Sequence, residues 1–286
     1  MLPGLAMNRA RLVVGGALVL LSAGCGGQAD VSAPLSSPTP TSTASPTPTG
    51  SPTPTPTGTP GPTVGSYVSS TGCTTSVVRP LAAQLVSELD CLVPGAISSI
   101  PASSQISDTG VFDFLQTAPG QSLPQVVAVR PGVTLPITSA LRTLPQQYLL
   151  YAWYQAGKCG ISLAATPGSS NHEGGLALDT PDYTSWQSAL QSQSWVWFGT
   201  GDPVHYTFTG SGTVSLTGKS VLAFQKLWNL NNPADPIAED STWGPQTESR
   251  LAASPAAGFA VPNGCGNPTP IFAGLVEETV PERCAL

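Results

Sequence analysis

Residues Ser170–Asp179 read Ser-Asn-His-Glu-Gly-Gly-Leu-Ala-Leu-Asp, and the rest of the chain is best understood from this stretch. It contains His172, one of only two histidines among the 286 residues. The other, His205, lies in the segment Gly-Asp-Pro-Val-His-Tyr that begins at Gly201. Two histidines and a carboxylate form the three-residue ligand set of a catalytic zinc site that leaves one position open. We therefore expect His172, Asp179 and His205 to bind zinc.

Two further residues have side chains suited to chemistry beside such a site. Asp202 precedes His205 by three residues, where a general base could stand. Arg142 lies where an extended segment meets a helix, and its guanidinium could hold a carboxylate or polarise a carbonyl. Each also has a plain structural alternative: Asp202 could cap the turn at Gly201, and Arg142 could be a surface or salt-bridged residue.

The hydrophobic pattern predicts an α+β fold, with a small antiparallel sheet flanked by helices. Residues 176–179 and 204–208 alternate as short strands, and 195–198 form a buried strand or turn. Helices are predicted from Pro145 to Gly157 and over 183–194. Two apolar runs fit helix or strand equally well, residues 126–129 and 134–137.

The first stretch also matches a known pattern, Ser-x-His-x-x-Gly-x-Ala-x-Asp. The matching residues are Ser170, His172, Gly175, Ala177 and Asp179. This pattern resembles the signature of the zinc D-alanyl-D-alanine carboxypeptidase family, which includes vancomycin-resistance carboxypeptidases and phage L-alanyl-D-glutamate endolysins. Asp202 with His205 resembles the family's second motif, and Arg142 followed by Gln146 or Gln147 resembles its arginine motif.

The resemblance implies a role for each matched residue. Zinc would be bound by His172, Asp179 and His205. Asp202 would be the catalytic base, although many family members have Glu at that position. Arg142 would polarise the substrate or bind its carboxylate. Gln146 and Ser170 would contribute to substrate binding, with Ser170 also ordering the motif loop.

The implied activity is hydrolysis of peptide bonds in peptidoglycan stem peptides. We expect a D-alanyl-D-alanine carboxypeptidase first. An endopeptidase acting on L-Ala–D-Glu or on cross-links is the alternative within the enzyme class. A peptidoglycan-binding lipoprotein without catalytic activity is the alternative outside it.

The first residues predict export and a lipid anchor. A basic segment, Asn8–Arg11, precedes the apolar run Leu12–Leu21, which is too short to span a membrane. Leu21–Cys25 resembles the lipobox of bacterial lipoproteins, which implies a signal peptide over residues 1–24 and acylation of Cys25. An ordinary secretory signal is the alternative. Either interpretation exports the protein, and the first places it in the bacterial cell envelope, attached to the membrane.

The remaining chain divides by composition into four parts. Residues 25–65 are a tether rich in Pro, Thr and Ser. The zinc peptidase domain is expected over 66–215, a helical module over 216–260, and a Pro/Gly/Cys tail over 261–286. The module resembles the peptidoglycan-binding repeat, with a structural cap as the alternative. There is no Lys/Arg cluster, so nucleic acid is not an expected partner.

Five cysteines follow Cys25, namely Cys73, Cys91, Cys159, Cys265 and Cys284. In an oxidising compartment they predict up to two disulfides with one cysteine left over. Cys73 and Cys91 flank a predicted helix, whose ends would lie about 20 Å or more apart. A disulfide requires Cα atoms within about 7 Å, so these two cysteines are not expected to pair with each other.

Overall fold

The computed structural model describes residues 61–108 and 110–265. Outside the described residues lie the expected signal peptide, Cys25, most of the expected tether, Cys284 and nearly all of the tail. The helices are α1 Arg79–Leu92, α2 Thr117–Ala128, α3 Leu144–Gln155, α4 Tyr183–Ser192, α5 Lys219–Asn231 and α6 Pro245–Ala253. The strands are β1 Ile97–Ser99, β2 Ile106–Ser107, β3 Phe114–Gln116, β4 Leu135–Pro136, β5 Ala177–Asp179, β6 Trp195–Trp197 and β7 His205–Phe208. This composition confirms the α+β class.

The largest sheet is antiparallel and three-stranded, in the order β5-β7-β6. One face is covered by α2 and α4, whose apolar residues Leu123, Val126, Trp186 and Leu190 pack around Leu178 and Tyr206 of the sheet. Two small pairs complete the strands: β1 with β3 antiparallel, and β2 with β4 parallel. The expected burial of residues 195–198 is wrong in part, since Trp195 is buried but Val196 and Phe198 are more than half exposed.

The two ambiguous apolar runs take different structures. Val126 and Val127 belong to α2, where they repeat the apolar position of Leu123 at helical spacing and are buried. Leu135 lies in β4 and pairs with Ile106. Packing partners far away in sequence therefore decide between helix and strand, which local periodicity alone could not do.

The C-terminal helices share one hydrophobic core with the helices that precede the sheet. This core combines residues of α1, α3, α5 and α6, including Leu81, Leu85, Tyr148, Trp153, Phe224, Leu227, Trp228 and Leu251. The inward face of α5 is formed by Val221, Phe224, Leu227 and Trp228, whereas Leu222 is only partly buried. Residues 216–260 are therefore packed into the described unit through its interior.

Two disulfides are formed among the described residues, Cys73–Cys159 and Cys91–Cys265. Their Cα atoms are 5.6 Å and 5.9 Å apart. The expectation that Cys73 and Cys91 do not pair is confirmed. Among the described residues, no helix has the length and apolar character needed to cross a membrane.

The shared core predicts that Phe224→Ala destabilises the whole described unit. Phe224 is fully buried, and truncating such a residue costs about 3–5 kcal/mol. Leu230→Ala on the same helix is the matched control, because Leu230 is exposed and should change the free energy of unfolding by less than about 0.5 kcal/mol. Calorimetry on both variants should show one unfolding transition, and a separate transition for residues 216–260 would contradict the shared core.

Candidate metal centre

Strand register places two of the three expected ligands side by side. Asp179 is the last residue of β5, and its Cα partner on the neighbouring strand β7 is His205. A third segment runs along the free edge of β5, where Asp179 N–H donates to the carbonyl of Ser139 at 2.9 Å. That segment ends at Arg142, whose N–H donates to the carbonyl of His172 at 3.2 Å. The backbone thus brings four of the expected residues together.

The loop that carries His172 is held close to the rest of the fold by a glycine. Gly175 has a φ of 64°, and a Cβ atom at this position would lie 2.7 Å from Cδ1 of Ile97 and 3.0 Å from the backbone nitrogen of Gln116. No other residue type fits without moving β1 or β3. The Gln116 N–H also donates to the carbonyl of Gly175 at 2.9 Å. The second glycine of the motif therefore fixes where the histidine loop lies.

The three expected ligands converge on one point. Nε2 of His172 lies 3.2 Å from Oδ1 of Asp179 and 3.1 Å from Nδ1 of His205. Nδ1 of His205 lies 3.1 Å from the same Asp179 oxygen. The His172 and His205 side chains are nearly buried, and that of Asp179 is 14% exposed. These residues form a group that can hold a metal ion.

The hydrogen bonds of the two imidazoles point their lone pairs at this centre. Nδ1 of His172 is 2.7 Å from the carbonyl oxygen of Ala140, which can only accept, so Nδ1 carries the proton. Nε2 of His172 is then unprotonated. Nε2 of His205 is 3.1 Å from Oγ1 of Thr207, which can accept a hydrogen bond from an N–H at Nε2. In that tautomer, Nδ1 of His205 carries the lone pair. Such outer partners fix tautomers in the way that metal-binding histidines require.

Charge at the centre favours the ligand forms of these side chains. The pKa of His172 is lowered, first by burial and then by the positive charge of Arg142, so its imidazole is neutral. Burial alone would raise the pKa of Asp179. The surrounding His172, His205 and Arg142 side chains nevertheless bring that pKa well below its ordinary value. A neutral imidazole and an ionised carboxylate are the states that bind metal.

Arg142 contacts the candidate metal-binding group through Oδ2 of Asp179, whereas the two histidines lie near Oδ1. Its Nη2 lies 3.4 Å from Oδ2 of Asp179 and donates to Oγ of Ser139 at 3.0 Å, while Nη1 donates to Oε1 of Gln147 at 3.0 Å. The side chain is only 17% exposed, so Arg142 is not a surface residue, but its ion pair with Asp179 is the salt bridge that the structural alternative predicts. The guanidinium is oriented by three partners and lines the cleft above the metal group.

Asp202 lines the same cleft, and its carboxylate accepts no hydrogen bond from the residues that the structure describes. Its turn is closed by backbone bonds, from Asp202 N–H to Gly199 and from His205 N–H to Asp202. A side-chain cap of the Gly201 turn is therefore not observed. The pKa of Asp202 is raised, first by partial burial and then by the negative charge of Asp179. A free carboxylate with a raised pKa is suited to accept a proton.

The cleft has a volume of about 520 Å³ and runs between the metal group and the segment that follows α3. Its lining includes residues 160–165, Phe198 and Asp202. Ser170 lies at its edge and has the loop-ordering role expected of it, because its Oγ accepts from the His172 N–H at 3.3 Å.

Gln146 does not line the cleft, contrary to the expectation from the resemblance. Its Oε1 accepts from both the N–H and the hydroxyl of Thr143 at 2.9 Å, so the side chain forms the N-terminal cap of α3 and is buried. The neighbouring Gln147, the other candidate for this motif, instead bonds to Arg142. Spacing alone could not distinguish the two, because adjacent helical residues point in different directions.

Glu173 was missed by the sequence analysis, although it follows His172 directly. It is buried, and its Oε2 accepts from the N–H groups of Gly168 at 2.8 Å and Ser170 at 3.3 Å. Its Oε1 accepts from the hydroxyl of Ser220, in the first turn of α5, at 2.9 Å. Burial raises the pKa of Glu173 to about 7, against the effect of these hydrogen bonds and of Arg142. Glu173 thus ties the histidine loop to the C-terminal helices.

Comparison with protein-family models and with curated proteins finds no match for this chain. The assignment of the site therefore depends on the geometry above and on the motif resemblance.

The position of Glu173 predicts an effect on metal affinity. Glu173→Leu leaves three donors without an acceptor, so the histidine loop loses its anchor, and Zn²⁺ affinity should fall about 10- to 100-fold, as for other residues that support metal ligands. Glu173→Gln should retain most of the affinity, because its amide can bond the same three groups. Zn²⁺ affinity is measured by competition with a chromophoric chelator.

Thr247→Ala is the control for general destabilisation of the C-terminal helices. The Thr247 hydroxyl bonds to Gln225 and touches nothing in the histidine loop. This variant should lower the melting temperature but not the Zn²⁺ affinity. Ser220→Ala removes only the link to α5 and should weaken Zn²⁺ binding a few-fold. Unchanged affinity in both Glu173→Leu and Ser220→Ala would show that Glu173 does not position the site.

Proposed function

We propose that this protein is a zinc-dependent peptidase that hydrolyses peptide bonds in peptidoglycan stem peptides. The observation that carries the proposal is the convergence of three ligand atoms with the Arg142 and Asp202 side chains on one cleft. Tetrahedral zinc at about 2.0–2.1 Å from its donors separates neighbouring donors by about 3.3–3.4 Å. The separations of 3.1–3.2 Å found here are close to that value. The set also leaves one position open, as in catalytic zinc sites.

The chemistry assigned to the chain's own residues follows from their positions. Zinc supplies a Lewis acid and lowers the pKa of bound water toward about 7. Asp202 accepts a proton from the attacking water and passes it to the leaving amine. Arg142 faces the carbonyl oxygen of the scissile bond and offsets the charge that develops on it. Ser139 and Gln147 hold the guanidinium in place for that role.

The substrate class and cellular location come from the sequence. The resemblance to zinc D-alanyl-D-alanine carboxypeptidases supports stem peptides as substrates, with a D,D-carboxypeptidase as the first candidate. The segment ending at Cys25 supports an exported protein anchored by lipid in the bacterial cell envelope. The Pro/Thr/Ser-rich composition of residues 25–65 supports a tether between that anchor and the peptidase domain.

One observation favours endopeptidase activity as the second candidate. Among the described residues that line the cleft, Arg142 is the only Lys or Arg, and its charge is already shared with Asp179. A carboxypeptidase must also accommodate the substrate's terminal carboxylate, close to Asp202. Cleavage of an internal bond brings no such charge. Digestion of monomeric pentapeptide and of cross-linked dimers separates the two, since loss of a single terminal alanine defines the carboxypeptidase.

The role of Asp202 predicts different consequences for two Asp→Asn variants. Asp202→Asn removes proton acceptance and should lower kcat about 100- to 10,000-fold, with zinc content and melting temperature unchanged. Asp179→Asn removes charge from the metal group and should weaken zinc binding instead.

Zinc content, melting temperature and kcat are measured on the same preparation of each variant. If Asp202→Asn is fully active but less stable, Asp202 is a turn residue and the proposed mechanism is wrong. If the wild type with zinc bound releases no product from any stem peptide, the protein is not the peptidase proposed here, and the non-catalytic wall-binding alternative is favoured.

A further inference from the structure

Residues 161–165 line one wall of the metal cleft with an unusually open stretch of backbone. The segment, Ile-Ser-Leu-Ala-Ala, contains no helix, strand, turn or bend. Leu163 is 48% exposed although its side chain is apolar. The same cleft is lined by a second exposed apolar side chain, Phe198, at 57%. Both side chains are therefore available for apolar contact with a ligand in this cleft.

Most peptide groups of this segment have no hydrogen-bond partner among the described residues. The N–H and C=O groups of Ser162, Leu163 and Ala164 take part in no hydrogen bond within the part of the chain that the structure describes. Backbone groups in folded proteins are nearly always paired with protein or water, so those of these groups that face the cleft offer donors and acceptors to whatever enters it. This is the property of an unpaired sheet edge.

Both ends of the segment are fixed. At the start, Cys159 is bonded to Cys73, and the N–H of Ile161 donates to the carbonyl of Lys158. At the end, Nε2 of Gln147 donates to the carbonyl of Ala165 at 2.7 Å. The other end of the Gln147 amide accepts from Arg142. The open backbone is therefore held in place before any ligand binds, which reduces the entropy lost on binding.

We propose that residues 162–164 bind the substrate by main-chain pairing, as an added strand binds to a sheet edge. The ligand is an extended peptide, whose backbone pairs with these residues while its side chains contact Leu163 and Phe198. Gln147 joins this surface to Arg142, so a peptide paired here lies in a fixed position relative to the guanidinium. The inference rests on the proposed peptidase function and adds the part of the cleft that binds the peptide.

Proline scanning tests the pairing, because proline removes one backbone donor without requiring a particular side chain. The variants are Ser162→Pro, Leu163→Pro and Ala164→Pro. In an extended segment the N–H groups of alternate residues point to opposite sides. Either Leu163→Pro alone or the other two variants should therefore lose about 3- to 10-fold in kcat/KM per lost hydrogen bond. The proline variants whose replaced N–H points away from the peptide are the matched control. Their kcat/KM should remain within about 2-fold of the wild type.

Two readouts accompany kcat/KM for a synthetic stem pentapeptide. Zinc content and melting temperature should equal those of the wild type, since no described hydrogen bond is removed. Calorimetric binding of the same pentapeptide to the zinc-loaded protein should weaken in the same variants, and this readout does not require turnover. Wild-type binding without hydrolysis would refute the peptidase and leave the pairing supported. Hydrolysis by the wild type with three proline variants that all match it would refute the pairing alone.

Where a proline variant fails to fold, the substrate can carry the change instead. Pentapeptides methylated at single backbone nitrogens remove the complementary donors. Peptides methylated at every second backbone nitrogen in turn should bind more weakly to the wild-type protein, and those methylated at the positions between should not. Equal binding of all methylated peptides and the unmodified one would also overturn the proposal.

Discussion

The structure depends on a costly arrangement at its centre, in which two lone-pair nitrogens and a carboxylate oxygen lie within 3.2 Å of one another in a nearly buried site. These atoms repel one another unless a cation or a proton lies between them, and few buried polar groups tolerate such a neighbourhood. The surroundings nevertheless enforce it. The register of β5 and β7 sets Asp179 opposite His205, and the Ala140 carbonyl holds the His172 tautomer that exposes its lone pair. A metal ion held by these three atoms would resolve the conflict.

Support for this centre comes from both halves of the described chain. From the N-terminal side, β1 and β3 press against Gly175 and fix one end of the histidine loop. From the C-terminal side, Ser220 bonds to Glu173 and Val221 packs against Gly168, where a Cβ atom would come within 2.8 Å of it. The C-terminal helices therefore help to position the loop that carries the candidate ligand His172, whether or not they also bind the cell wall. Their shared core with α1 and α3 is the physical reason that they can do so.

The sequence was sufficient to predict site residues and fold class where the chemistry of a residue and the local hydrophobic pattern indicate the same thing. Histidine is so rare in this chain that His172 and His205 could be selected directly, and the strand patterns beside them placed Asp179 and the fold class correctly. It was insufficient wherever a partner lies far along the chain. Glu173 is bonded to a residue 47 positions away, and nothing near it indicates that contact. Gln146 matched a motif by spacing, but the Thr143 cap determines where its side chain lies. Long-range packing also decided the structure of the two apolar runs.

We propose that His172, Asp179 and His205 together bind one zinc ion. A crystal structure of the zinc-loaded protein, with anomalous diffraction recorded on both sides of the zinc absorption edge, is the decisive test. One anomalous peak is expected, about 2.0–2.1 Å from Nε2 of His172, Nδ1 of His205 and an Asp179 oxygen. Metal analysis of the same protein should give one zinc per chain, lost in His172→Ala. No peak at this position, or stoichiometric zinc retained by His172→Ala, would contradict it.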